Sequence, residues 1–309
     1  LYLKEDAGKM LIGIFEGKSI PAFNKTNRVP EDFSYGEFPE NFEHFEPYLE
    51  AALKRVPILE KAGIRKFFAG PESFTPDTNT LLGEVPGVRN LFACCGLNSI
   101  GIGSGGGVGK VTAEWMMTGH INEDIFSYDI KRFQKFHSEL GFIKKRITES
   151  LGDLYGMHWP FKQHKTSRNV KTLPHHDNLK SFGACFGVSG GYERPMWFAL
   201  DGEKAEYEYS YNYQSWYPSA EYETNNTIKN VGLFDLTPFS KFEIKSNKGH
   251  QELQKICTAN IKNEPGKCIY THMLNPDGGI ETDLTIVCID NNHFRIISSA
   301  ATRERDKFH

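Results

Sequence analysis

Apolar and polar positions divide the chain into segments of different period. The opening "LYLKEDAGKMLIGIFEG" alternates, and Ala7-Gly8-Lys9 interrupt the alternation, which predicts a β-hairpin. In "ENFEHFEPYLEAALKRVPILEKAG", Phe42, Phe45, Leu49, Ala52 and Leu53 recur at helical spacing, and Pro57 ends or kinks the predicted helix. Residues 69–90, with prolines at 71, 76 and 86, read as turns. A short apolar strand over 89–95 then enters a glycine-rich loop, and "VGKVTAEWMMTGH" continues as a helix closed by Gly119.

From His120 the pattern changes. "INEDIFSYDIKRFQKF" and "FIKKRITESLGDLYG" read as charged helices, and 159–174 as a basic connector. Beyond about residue 180 the chain reads as strand-rich: "VGLFDLTPFSKFEIKS", "CIYTHMLNPDGGIETDLTIVCID" and "HFRIISS" alternate with turn residues, and 201–222 is crowded with Tyr and Trp. No internal repeat or low-complexity tract interrupts this order. With no lead-in before the first hairpin and nothing that closes a domain after the last strand, the chain reads as an internal stretch of a longer protein.

Composition narrows the classes. Hydrophobic content of 39% and aromatic content of 13% are globular values. A net charge of -3 gives no basic footprint for nucleic acid or an anionic membrane. No apolar run approaches the roughly 20 residues of a membrane span. The six cysteines, at 94, 95, 185, 257, 268 and 288, include no C-x-x-C spacing. A zinc site or disulfide framework is therefore not expected, and a reducing compartment is.

The stretch 95–110, "CGLNSIGIGSGGGVGK", invites two nucleotide motifs. A P-loop requires Gly at 104 and Ser or Thr at 111, where the chain has Ser104 and Val111. Gly101, Gly103 and Gly106 do satisfy G-x-G-x-x-G, but no buried strand ending in an acid follows the helix, as a dinucleotide site requires. What remains is the physics of a glycine-rich helix start. Its free N–H groups and positive dipole end favour an electron-rich group, and glycine lets that group approach closely. A helix–strand packing turn with no ligand is the alternative.

These residues also carry a resemblance. "GPESFTPD" (70–77), the glycine loop and "AEWMMTG" (113–119) resemble the end of the flavin domain in the sarcosine and dimethylglycine dehydrogenase family. "YDIKRF" (128–133), "SGGYERPMWF" (189–198) and "MLNPDGGIETDLTI" (273–286) continue it in the same order, over nearly the whole chain. The resemblance implies an α+β chain in three parts. Residues 1–121 would be the C-terminal part of a DAO-like FAD-dependent oxidoreductase domain, and 122–178 a middle connector domain. Residues 179–309 would be the N-terminal part of a glycine-cleavage T-protein-like, folate-binding aminomethyltransferase domain.

The implied cofactors are FAD and tetrahydrofolate, and the implied reaction is oxidation of a small N-methyl amine. Electrons would pass to an electron-transfer flavoprotein or to oxygen. The family packs this glycine loop against the flavin ring, which assigns Gly96, Leu97, Asn98, Ser99, Ile100, Gly101, Ile102 and Gly103 to the cofactor. Its ADP fingerprint lies elsewhere, so 1–309 alone is expected to be inactive. Asp283 takes the place of the acid that faces tetrahydrofolate, on a strand face shared with Glu281, Thr285 and Val287. Sarcosine and dimethylglycine, and dehydrogenase and oxidase, stay open as alternatives, as does a cytoplasmic or a mitochondrial-matrix location according to a bacterial or eukaryotic origin. A non-enzymatic regulatory member, like the regulatory subunit of pyruvate dehydrogenase phosphatase, and a stand-alone aminomethyltransferase also stay open.

Four features read as structural. Lys110 is expected in solvent, and Glu193-Arg194 as a surface acid–base pair beside an interdomain Trp197. His175-His176-Asp177 are not expected to hold a metal, since adjacent histidines on a strand point opposite ways. Pro71 and Pro76 would set the turn that carries Glu72 and Asp77, unless that loop lines the substrate cavity as in the family.

Overall fold

The computed structural model describes residues 1–121 and 123–309. The first hairpin forms as the alternation predicts: β1 (Tyr2–Asp6) pairs antiparallel with β2 (Lys9–Gly13), from Tyr2↔Gly13 to Asp6↔Lys9. Its turn residues Ala7 and Gly8 both have positive φ, the geometry that matches the twist of paired strands. Helix α1 (Phe42–Arg55) starts at Asn41, whose side chain accepts from His44 N, and carries Glu43 in its first turn and Lys54 and Arg55 in its last, complementing the dipole.

The segment read as turns holds a strand. β3 (Leu81–Glu84) pairs antiparallel with β4 (Phe92–Cys95), from Leu81↔Cys95 to Glu84↔Phe92. Four residues with a glycine among them give too little alternation to see. That glycine is required, because Gly83 has φ +101° and a Cβ there would lie 2.5 Å from the Trp115 ring. β4 leads into α2 (Gly101–Thr118), which Gly119 ends with a left-handed φ of 80°.

The predicted helix over 121–136 does not form among its described residues; Asn122 lies outside them. Two short 3₁₀ turns, Ile130–Arg132 and Lys135–Ser138, stand there instead. Local side chains close them: Asp129 accepts from Lys131 N at 2.8 Å, and His137 Nδ1 accepts from Gln134 N at 3.0 Å. Lys131 itself is buried between the Trp115 and Phe308 rings, which a solvated helix face would not allow. The next helix, α3 (Leu140–Leu154), is as expected. Gly152 lets it touch the backbone of Gly17, since a Cβ would fall 2.0 Å from that carbonyl oxygen.

The last part is mixed rather than mostly strand. After α4 (His176–Ser181), the hairpin β5 (Ala184–Ser189)–β6 (Tyr192–Phe198) precedes α5 (Tyr217–Lys229). Then come β7 (Ser240–Lys245), α6 (Gly249–Ile256), β8 (Cys268–Leu274), β9 (Ile280–Asp290), β10 (His293–Ser298) and α7 (Arg303–Phe308). The four strands form one antiparallel sheet in the order β7-β10-β9-β8. One face of it, with α6, builds the main core: Leu253, Cys257, Ile261, Met273, Leu284, Ile286, Cys288, Phe294 and Ile296. Two expectations fail here. The apolar run 231–239 is not a strand and leaves Leu233 fully exposed, and the chain does not stop after β10 but turns into α7.

Candidate functional site

The glycine loop is held in a strained shape from one side and left bare on the other. Gly96, Asn98 and Ser99 all have φ between 49° and 65°, and such conformations persist only where neighbours over-determine them. The neighbour is the 70–77 loop. Asn98, 2% exposed, accepts from Thr75 N at 2.8 Å and donates from its own N–H to Ser73 O at 3.2 Å. Its side-chain amide also donates to Gly96 O. Ser99 Oγ donates to Glu72 Oε1 at 3.0 Å. None of these three contacts between the loops is legible from residue spacing, because each joins positions more than twenty residues apart.

Immediately after Ser99 the chain enters α2 with no side-chain cap at Ile100. Ile100 N donates to Leu97 O and Ser104 N to Ile100 O, so the N–H groups of Gly101, Ile102 and Gly103 belong to those a helix leaves without internal acceptors. The same half of α2 is uncovered. Ile102 is fully exposed, and a Cβ at Gly103, Gly105, Gly106, Gly107 or Gly109 would meet nothing within 4 Å. Gly101 differs, since a Cβ there would meet the Leu97 side chain at 2.9 Å. An open glycine surface around uncapped, aligned N–H groups fits the electron-rich edge of a flavin ring.

The dinucleotide alternative fails on topology. β4 pairs antiparallel with β3 in a sheet of two, and among the described residues the segment after α2 adds only the single parallel bridge Leu82↔Asp129, not the strand of a βαβ unit. Lys110 pairs with Glu114 at 3.6 Å on the exposed helix surface, away from the helix start.

A second region surrounds Asp283, near the start of β9 on the open face of the four-stranded sheet. Alternation along β9 buries Thr282, Leu284, Ile286 and Cys288 and leaves Asp283 exposed with Glu281, Thr285 and Val287 on its side. Its register partner is His272, and Tyr270 Oη donates to Asp283 Oδ2 at 3.2 Å. Desolvation, then this carboxylate, push the Tyr270 phenol above its usual range, so it stays a donor. The surrounding depression, about 560 Å³, is lined by Tyr270, His272, Glu281, Asp283, Thr302 and Arg305 among others. Arg305 is fixed there by donating to the Glu281 carbonyl and resting on the Phe126 ring at 4.8 Å. Such mixed donors and acceptors around a carboxylate fit a polar heteroaromatic cofactor such as tetrahydrofolate. Tyr270 and Arg305 were missed by sequence reading; Tyr270 sits thirteen residues from Asp283 and meets it only through the β8–β9 register.

Glu193 is 1% exposed and pairs with Arg168, not Arg194: Arg168 Nε and Nη2 donate at 2.7 and 2.5 Å, and Asn169 N at 2.8 Å. Burial pushes the Glu193 carboxyl up, and these donors more than reverse it. The signal for a buried acid was its place inside the apolar strand "YERPMWF". Trp197 is 4% exposed, edge-on to Tyr207. His175 and His176 begin α4, where the His176 ring packs on Phe186. Glu149, Asp153 and His164 bring their polar atoms within 4.8 Å of one another, a grouping that residue spacing did not suggest. Lys162 already pairs with Asp153 at 2.5 Å, and Glu149 accepts from Lys165 N and Thr166 N, so the cluster pins the loop after α3.

Comparison with known proteins finds three family matches in order along the chain. Residues 1–115 match the FAD dependent oxidoreductase family, 118–172 the FAD dependent oxidoreductase central domain, and 175–309 the GCVT N-terminal domain. The chain is 38% identical over 304 residues to a 4-methylaminobutanoate oxidase (formaldehyde-forming) of Paenarthrobacter nicotinovorans, covering 98% of this chain and 36% of that protein. It is 32% identical to mitochondrial sarcosine dehydrogenase of Homo sapiens, covering 95% of this chain and 34% of the other. It is also 32% identical to the mitochondrial pyruvate dehydrogenase phosphatase regulatory subunit of Mus musculus, covering 96% and 34%. The chain thus spans about a third of the length of the curated relatives it matches. Three collinear domains and these relatives place the chain in the sarcosine and dimethylglycine dehydrogenase family of FAD-dependent oxidoreductases, whose folate-binding T domain adds tetrahydrofolate as a second cofactor.

Proposed function

We propose that the protein carrying this chain oxidatively demethylates a small N-methyl amine, with sarcosine or dimethylglycine as first candidates, and passes the one-carbon unit to tetrahydrofolate. The observation that carries the reading is the uncapped, uncovered start of α2, held by the 70–77 loop. Bound flavin would supply the hydride acceptor. The residues 96–103 would present N–H groups to the negative charge that gathers on the ring edge as the amine is oxidised. In the second region, bound tetrahydrofolate would supply the amines that capture the one-carbon unit. Asp283 would hold the proton displaced there, oriented by the Tyr270 hydroxyl. We place the domain boundaries at 1–121, 122–178 and 179–309. Electrons would leave to an electron-transfer flavoprotein or oxygen, in the mitochondrial matrix of a eukaryote or the cytoplasm of a bacterium.

Turnover of sarcosine, dimethylglycine and 4-methylaminobutanoate with and without tetrahydrofolate tests this reading. One amine should be consumed, with methylenetetrahydrofolate replacing formaldehyde as product when tetrahydrofolate is present. A flavoprotein that gives formaldehyde alone under both conditions would remove the folate half. The regulatory-subunit relative supports a second reading, in which both regions persist as binding modules without turnover.

A further inference from the structure

The 70–77 loop offers two carboxylates beside the glycine helix, and the structure uses them differently. Asp77 is saturated: Arg132 Nε and Nη2 donate to it at 2.7 and 3.0 Å, and Thr75 Oγ1 and Asn79 N each at 3.2 Å. It fastens the loop to the segment after α2. Glu72 is exposed and accepts a single hydrogen bond, from Ser99 Oγ to Oε1; among the described residues Oε2 has no protein donor. Ser99 stands two residues before Gly101, so this half-occupied carboxylate lies beside the bare helix start. Asn98 bonds Ser73 O and Thr75 N, so the backbone that follows Glu72 is held in place, and the Ser99 hydroxyl positions the exposed carboxylate itself.

A patch of aromatic rings flanks it. Phe15 stacks on Tyr155 with centroids 4.6 Å apart, meets Phe74 edge-on at 6.5 Å and approaches Tyr2 at 6.2 Å. Tyr155 is 59% and Tyr2 49% exposed. Desolvation and then the Glu72 charge raise the Tyr155 phenol above its ordinary range, which places that ring within the field of the carboxylate. One open carboxylate oxygen and exposed ring faces together recognise an alkylammonium group: the oxygen takes charge and N–H, the rings take the methyl-bearing cation face.

Building on the proposed amine oxidation, we infer that Glu72 is the substrate-binding residue that selects the cationic nitrogen of the N-methyl amine and holds it over the glycine helix. A carboxylate at a helix N-terminus also has a purely structural use, as a complement to the dipole. The two roles separate by ligand charge.

The experiment uses the intact flavoprotein, and its first step identifies the amine that bleaches the flavin. Two unreactive analogues are then titrated by the change they cause in the visible flavin spectrum. For sarcosine or dimethylglycine these are betaine, which keeps the positive nitrogen, and (methylthio)acetate, which replaces it with neutral sulfur; for 4-methylaminobutanoate they are the four-carbon pair. Glu72→Gln should weaken the quaternary ligand by about ten- to a hundredfold, the worth of one charge-assisted contact. It should leave the thioether within about twofold and the flavin content unchanged. Equal loss of both ligands, no loss of either, or loss of flavin from the variant would each overturn the assignment. A wild-type protein that no amine bleaches would instead overturn the reading on which it rests.

Discussion

Adding one methyl group at Gly103 separates the two roles a glycine can have there. Gly103 lies in the first turn of α2 with helical backbone, and a Cβ would meet nothing within 4 Å. For the chain alone Gly103→Ala is therefore free of clash, and replacing a helical glycine by alanine should stabilise it by about 0.5–1 kcal/mol. If the bare side faces the flavin ring, the same methyl overpacks that contact at a cost of about 1–3 kcal/mol. At about 1.4 kcal/mol per decade this is roughly a five- to 150-fold loss of flavin affinity. The two effects have opposite sign, so thermal unfolding of the flavin-free protein and FAD titration of the same preparation read them separately. Gly101 is a poorer probe, because its new Cβ would press on Leu97 at 2.9 Å. Gly119→Ala is the control: its φ of 80° makes the substitution strained, and it should lower stability while leaving FAD affinity unchanged. A Gly103→Ala protein that gains stability and binds FAD as tightly as before would refute a ring-facing helix.

Asp283→Asn keeps shape and loses the proton-accepting carboxylate, so amine consumption should stay near normal while formaldehyde replaces methylenetetrahydrofolate; unchanged folate capture would reduce Asp283 to a solvated strand position. Glu193→Ala strands Arg168 without its partner and should cost about 3 kcal/mol in denaturant unfolding, with a loss under 1 kcal/mol counting against the buried pair. The Glu193 carboxyl is held below its ordinary value, so its contribution is present above that value and fades as pH falls through the lowered one. His137 acts in the same direction by another route. Burial lowers it from 6.5 to about 4, so the folded state resists protonation and loses stability as pH falls from 6.5 toward 4. His137→Asn retains an acceptor for Gln134 N and should flatten stability across that window; an unchanged pH slope would show that other groups carry it.

Legibility in the sequence followed the range of the interactions. The first hairpin, α1 and the Gly119 stop of α2 are written in local pattern, and each formed as read. β3 was lost because four residues carry little periodicity, and the run 231–239 was misread because its apolar residues alternate without being buried. The predicted helix after His120 gave way to turns whose cause is tertiary, a lysine drawn between Trp115 and Phe308. At the candidate sites, alternation alone placed Asp283 on the open face of β9. The contacts that give both sites their chemical shape, Ser99 with Glu72 and Tyr270 with Asp283, join separate segments and leave no mark in spacing. The Arg168–Glu193 pair joins residues 25 positions apart and was hidden in the same way.

A flavin that oxidises an N-methyl amine, held in part by this chain, underlies each of these proposals. Its most direct test is the visible spectrum of the intact protein under anaerobic addition of sarcosine, dimethylglycine and 4-methylaminobutanoate. The expected result is a yellow protein whose flavin bands bleach with one of the three amines. A colourless protein, or a flavin that none of them bleaches, would contradict it.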